Sequence, residues 1–102
     1  MAIMLIDEDQ GRRDRLHTAL AAEDQTVLQF STREDALEVL RLDPKGFPVI
    51  ISGPVAGGIG NTKFANWAYR ICAEQDPRVI DYSERAPLSG VVAHAIEALH
   101  AK

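Results

Sequence analysis

At 102 residues with 46% apolar side chains, the chain has the size of one domain and enough apolar mass to close a core. Fifteen acidic against eleven basic residues leave a net charge of −4, which disfavours nonspecific nucleic-acid binding because no excess of Lys and Arg is available to displace counterions from phosphates. A single cysteine, Cys72, excludes an internal disulfide or a thiolate metal cage, and no apolar run approaches the ~20 residues of a membrane span. A soluble, cytoplasmic protein with a reduced, buried or half-buried thiol is expected.

Ile3 to Ile6 is an unbroken apolar run closed by Asp7, Glu8 and Asp9, the pattern of a strand buried on both faces. Asp9 is placed to cap a helix from about Gln10 to Glu23. Its inward stripe is Leu16, Ala19 and Leu20, and Arg12, Arg13 and Arg15 lie mostly outward. Thr26 to Phe30 reads as a second strand near a sheet edge. Ser31 or Thr32 caps the next helix, and with Thr32 as cap Asp35 completes a capping box with a shorter acid. Ala36, Leu37, Val39, Leu40 and Leu42 form the apolar side of that helix, and Asp43-Pro44-Lys45-Gly46 ends it.

Pro48 to Ser52 is a third apolar strand, followed by a glycine-rich loop from Gly53 to Gly60. A helix from about Thr62 to Glu74 places Phe64, Trp67, Ala68 and Ile71 on one face, with Tyr69 pointing elsewhere, toward an interface. Asp76-Pro77 stops it, and Arg78 to Ser83 is a short fourth strand. After Arg85-Ala86-Pro87 a last helix runs from about Ser89 to His100, with Val92, Ala95, Ile96 and Leu99 as its stripe. The alternating order predicts an α/β fold with a parallel sheet covered on both faces.

The first strand ends in the acids Asp7-Glu8, and the third runs Val49-Ile50-Ile51-Ser52 into Gly53. Together with the order of the elements, this resembles a response regulator receiver domain. The resemblance spans nearly the whole chain, 1–102, and implies a flavodoxin-like, receiver-like parallel sheet without an attached output domain. The family has five βα units and four are found here. One alignment deletes the family's fourth helix and fifth strand; another makes Arg78 to Ser83 the fifth strand and deletes the fourth unit. By resemblance, Asp7 and Glu8 stand where the family holds magnesium, and Gly53 stands where its aspartate accepts a phosphoryl group. Ser83 stands at the switch Ser/Thr, and Arg85 loosely at a conserved lysine.

Glycine offers no nucleophile, so aspartyl phosphorylation is not expected at Gly53, and strand alternation points Ser52 to the other face. Asp7 and Glu8 are expected to cap the first helix and face solvent, with weak magnesium binding as the alternative, because a hard cation wants more oxygen ligands than two. Gly57, Gly58, Gly60 and Lys63 invite an anion-binding reading at the head of a helix, but they match neither the P-loop nor the dinucleotide fingerprint. His17, His94 and His100 lack metal-ligand spacing and read as surface residues.

The missing unit leaves a sheet edge open, which predicts a homodimer near the fourth strand and last helix, with exchange of that helix as one form. The leading reading is a stand-alone pseudo-receiver of a two-component or related phosphorelay pathway. It is expected to be neither an enzyme nor dependent on a cofactor. It would act by contact with a histidine kinase, a phosphotransfer protein or another regulator, docking through Arg12, Arg13 and Arg15, without nucleic acid or membrane. The alternative is a sensor of a nucleotide or other anion that uses loop 53–63. An enzyme ranks last, since no nucleophile, base and orienting group come together.

Overall fold

The computed structural model describes residues 2–101. The elements run β1 (Ile3–Ile6), α1 (Gln10–Ala21), β2 (Val27–Phe30), α2 (Arg33–Leu42), β3 (Val49–Ser52), α3 (Asn61–Ile71), β4 (Arg78–Asp81) and α4 (Leu88–His100). The strands form one parallel sheet in the order β2-β1-β3-β4. β1 and β3 are central and wholly buried, which accounts for their unbroken apolar sequences. β2 and β4 are edges and carry exposed positions.

Alternation along the strands separates two cores. Ile3, Leu5, Val49, Ile51 and Ile80 pack against Leu16 and Leu20 of α1 and Val91, Ala95 and Ala98 of α4. Met4, Ile6 and Ile50 pack on the opposite face against Ala36, Leu37 and Leu40 of α2 and Phe64 and Ala68 of α3. Cys72 belongs to this second core, and burial pushes its thiol pKa up. Trp67 is half-buried at its margin, with the Lys63 ammonium 4.9 Å from the ring centroid, and Tyr69 is exposed.

Asp9 caps α1 by accepting from the Arg12 N–H at 2.8 Å, and Thr32 caps α2 by accepting from Asp35 N–H at 3.2 Å. α1 regular geometry ends at Ala21, short of the expected Glu23. The Asp24 N–H bonds Ala21 C=O and the Gln25 N–H bonds Leu20 C=O, a helix-ending arrangement that places Asp24 at φ 60. The stripe expected on the last helix is rotated: Val91, Ala95 and Ala98 are buried, whereas Val92, Ile96 and Leu99 are only half-buried. The helix is apolar nearly all round, so periodicity alone did not select the face.

α4 lies on the face of α1, across the sheet from α2 and α3, and packs on its own chain's α1, β3 and β4. A helix leading on to a further parallel strand beside β4 would take the α2/α3 face, because such crossovers are right-handed. α4 therefore lies on the face opposite to that of such a crossover helix, and the described residues form a sheet of four strands. No helix among the described residues is long and apolar enough to cross a membrane.

Candidate functional site

Register brings three positions into one row just beyond the carboxyl ends of the strands. Ile6 pairs with Ser52 and Ser52 with Asp81, so the next residues, Asp7, Gly53 and Tyr82, are neighbours across β1, β3 and β4. The row is tied by the Gly53 N–H to Ile6 C=O at 2.7 Å and the Tyr82 N–H to Ser52 C=O at 3.3 Å.

Asp7 is fully buried rather than facing solvent. Its Oδ1 accepts from the Asp9 N–H at 2.9 Å and Arg12 Nη2 at 2.9 Å; its Oδ2 accepts from Arg12 Nε at 2.7 Å and the Tyr82 hydroxyl at 2.5 Å. Arg12 thus grips the carboxylate through a two-point fork, with 15% of its side chain exposed. Burial opposes the charge on Asp7, but hydrogen bonds from Arg12, Tyr82 and the Asp9 amide, with the charge of Arg12, outweigh it and hold the pKa below its ordinary 3.8. Burial first, then the bond to charged Asp7, push the Tyr82 phenol well above its ordinary value, so it stays a donor.

Gly53 is buried against the ring of Tyr82. A Cβ built on it would stand 2.7 Å from Tyr82 Cε1 and nearer still to Cζ and the hydroxyl oxygen, a spacing real side chains do not adopt. The tyrosine therefore fills the space that a side chain at position 53 would enter, and glycine is what admits it. Arg12 and Tyr82 use the lone pairs of Asp7 that a cation would need, so the weak-magnesium reading of Asp7 and Glu8 loses its first ligand. Glu8 is exposed and accepts from the Ala56 N–H at 3.1 Å. Among the described residues no group of three or more His, Cys, Asp or Glu side chains is placed to hold a metal.

On the other face a second cation is buried. Arg33, 3% exposed at the first turn of α2, donates from Nε to Ser52 Oγ at 3.2 Å, from Nη1 to Ile59 C=O at 2.9 Å and from Nη2 to Gly53 C=O at 2.7 Å. Ser52 Oγ in turn donates to Asn61 Oδ1 at 2.8 Å. Arg33 clamps the β3–α3 loop over the sheet.

Two amides of the glycine-rich loop are already taken by carboxylates. Glu8 takes the Ala56 N–H, and Glu34 takes the Ile59 N–H at 2.9 Å. Both carboxylates repel an incoming phosphate. Gly57 and Gly58 adopt φ 77 and 65, Gly60 precedes α3 without a side-chain cap, and Lys63 lies over Trp67. The geometry runs against the anion reading of Gly57, Gly58, Gly60 and Lys63.

Two other sequence expectations are corrected. Arg12 turns inward onto Asp7, and Arg13 is half-buried, donating to Asp7 C=O at 2.7 Å; of the three α1 arginines only Arg15 is exposed. Ser83 and Arg85 are exposed in the turn after β4, where the Ala86 N–H bonds Ser83 C=O at 3.0 Å. The residue that reaches the site is Tyr82, one position earlier. His17 is half-buried, and His94 and His100 are exposed. Tyr82, Arg33 and Glu34 escaped the sequence reading; the signal for the first was a glycine and a large aromatic at the ends of adjacent strands.

No family model and no curated protein matches the sequence. Solved structures do match. The receiver domain of the hybrid histidine kinase CckA is similar with a TM-score of 0.81 at 17% identity, over 97% of this chain and 99% of that one. A response regulator receiver protein from Sinorhizobium medicae gives 0.80 at 13% identity, over 99% and 95%. A response regulator receiver domain protein from Clostridium thermocellum gives 0.77 at 11%, over 99% and 96%. What this likeness shows is the fold: the chain is a receiver-like domain with four parallel strands and four helices.

Proposed function

We propose that this chain is a pseudo-receiver: a signal-transduction module that works by protein–protein contact and is not switched by phosphorylation of an aspartate. The observation that carries the reading is the row Asp7–Gly53–Tyr82. The acceptor position has no side chain, the ring of Tyr82 stands in its space, and the guanidinium of Arg12 sits where a cation would bind Asp7. A side chain is needed to carry the phosphoryl group and a cation to neutralise its oxygens, and both places are filled. Fold likeness to receiver domains supports a place in two-component signalling, with a kinase, a phosphotransfer protein or another regulator as partner. The short, open β4 edge and the half-buried apolar positions of α4 support self-association as a homodimer. The reading makes the protein a binding module, neither enzyme nor cofactor carrier.

Incubation with acetyl phosphate and magnesium, followed by intact mass measurement, tests it. The expected result is an unmodified chain. A stoichiometric, hydroxylamine-labile phosphoryl adduct would overturn it.

A further inference from the structure

The outer face formed by α1 and α4 holds an open groove of ≈ 920 Å³. Ala19 and Ala22 of the α1 segment line one wall, and Leu88, Val92 and Ile96 of α4 line the other. Small residues on one side and branched ones on the other leave a channel shaped for the ridge of another helix.

Charges sit at the two ends of this groove and differ in sign. α1 follows β1 and α4 follows β4 in a parallel sheet, so both helices start beyond the carboxyl ends of the strands and run the same way. Arg15, midway along α1, lies nearer that end than Glu23, which is eight residues later, about 12 Å along the axis, and Glu97 is near the end of α4. All three are exposed, and none belongs to an ion pair among the described residues.

We propose that a second copy of this chain docks in the α1/α4 groove about a two-fold axis that crosses the helices, so that four helices pack together. Such an axis turns the partner end for end. Arg15 of each copy then faces Glu23 and Glu97 of the other, and the match occurs twice. A copy laid in the same direction would bring like charges together, so the charge pattern selects the antiparallel arrangement while the apolar walls supply the burial. A helix of uniform charge would satisfy one end and be repelled by the other. The proposal rests on the homodimer reading above and locates it on α1 with α4 rather than on the β4 edge.

Sedimentation velocity of the full chain tests both. Twice the 11.2 kDa mass of one chain is expected for the wild type. Arg15→Glu is expected to weaken the dimer about tenfold, through loss of two symmetric attractions and gain of two repulsions. The reversal R15E/E23R/E97R should restore it, and Ala93→Glu, an exposed groove position, should dissociate it; an unchanged far-ultraviolet circular dichroism spectrum with a cooperative melt would show that the variants fold. A wild type that stays monomeric at high concentration overturns both the homodimer and this surface. A dimer indifferent to Arg15→Glu and Ala93→Glu overturns this surface alone. A triple variant no better than Arg15→Glu overturns the antiparallel arrangement.

Discussion

Replacing Gly53 by alanine adds one methyl group, and the structure fixes where it must go. The new Cβ would lie 2.7 Å from Tyr82 Cε1, inside contact distance of a ring that is 8% exposed. Two responses are open. The ring stays and the core is overpacked, at about 1–3 kcal/mol. Alternatively the ring swings away and gives up the 2.5 Å bond to charged Asp7, at about 1.5–3 kcal/mol. The chain takes the cheaper, so Gly53→Ala should cost about 2 kcal/mol, or roughly 10 °C in Tm for a domain of this size. In a Tyr82→Ala background the obstacle is gone. Gly53 is not among the residues with positive φ, so alanine there should be neutral or stabilising by up to about 1 kcal/mol. Urea unfolding of the four proteins in this cycle measures the coupling, expected at about 2 kcal/mol. Equal effects of Gly53→Ala in both backgrounds, within about 0.5 kcal/mol, would refute the claim that Tyr82 fills the site.

Three more outcomes are expected. Because the Asp7 pKa is depressed below 3.8 in the fold, its stabilisation is complete above that pH and drains away as pH falls through the folded value. Asp7→Asn should therefore lower Tm at pH 7 and flatten the decline below pH ~4, as read by circular dichroism; an unchanged acid limb would remove Asp7 from the account. Arg33→Ala strips donors from the Gly53 and Ile59 carbonyls and should cost about 3 kcal/mol, with faster amide exchange in the 57–59 segment; a loss below about 1 kcal/mol would mean that water replaces the clamp. Asp24→Gly relieves a residue at φ 60 and should raise stability by about 0.5–1 kcal/mol in a thermal melt, and a loss would contradict the cap geometry.

The layers of this fold were legible because they follow from short-range pattern. The apolar runs of β1 and β3 mark strands buried on both faces, and Asp9 and Thr32 mark helix starts through their own side chains. The site was legible only as an absence, the missing side chain at Gly53. What fills it depends on register: Tyr82 meets Gly53 because β4 pairs with β3 one residue before each, a relation that neither segment contains alone. Arg12 was read outward because helical spacing sets it near Arg13 and Arg15, yet its long side chain reaches back over one turn to a carboxylate at the strand end. Nothing local marks Arg33 for burial in a first helical turn; its acceptors lie 19 to 26 residues further on. The α4 face was ambiguous because Val91 and Val92, or Ala95 and Ile96, serve a core equally well, and contact with α1 decided between them.

Under the pseudo-receiver proposal, Arg12 and Tyr82 stand where a cation and a phosphoryl group would otherwise sit. A backbone amide NMR titration with magnesium, then with magnesium and beryllofluoride, tests it most directly. The account predicts no saturable, localised shifts at Asp7, Glu8, Gly53 or Tyr82. Saturable shifts at those amides, with release of Tyr82 from Asp7, would contradict it and return the domain to the ligand-switched class.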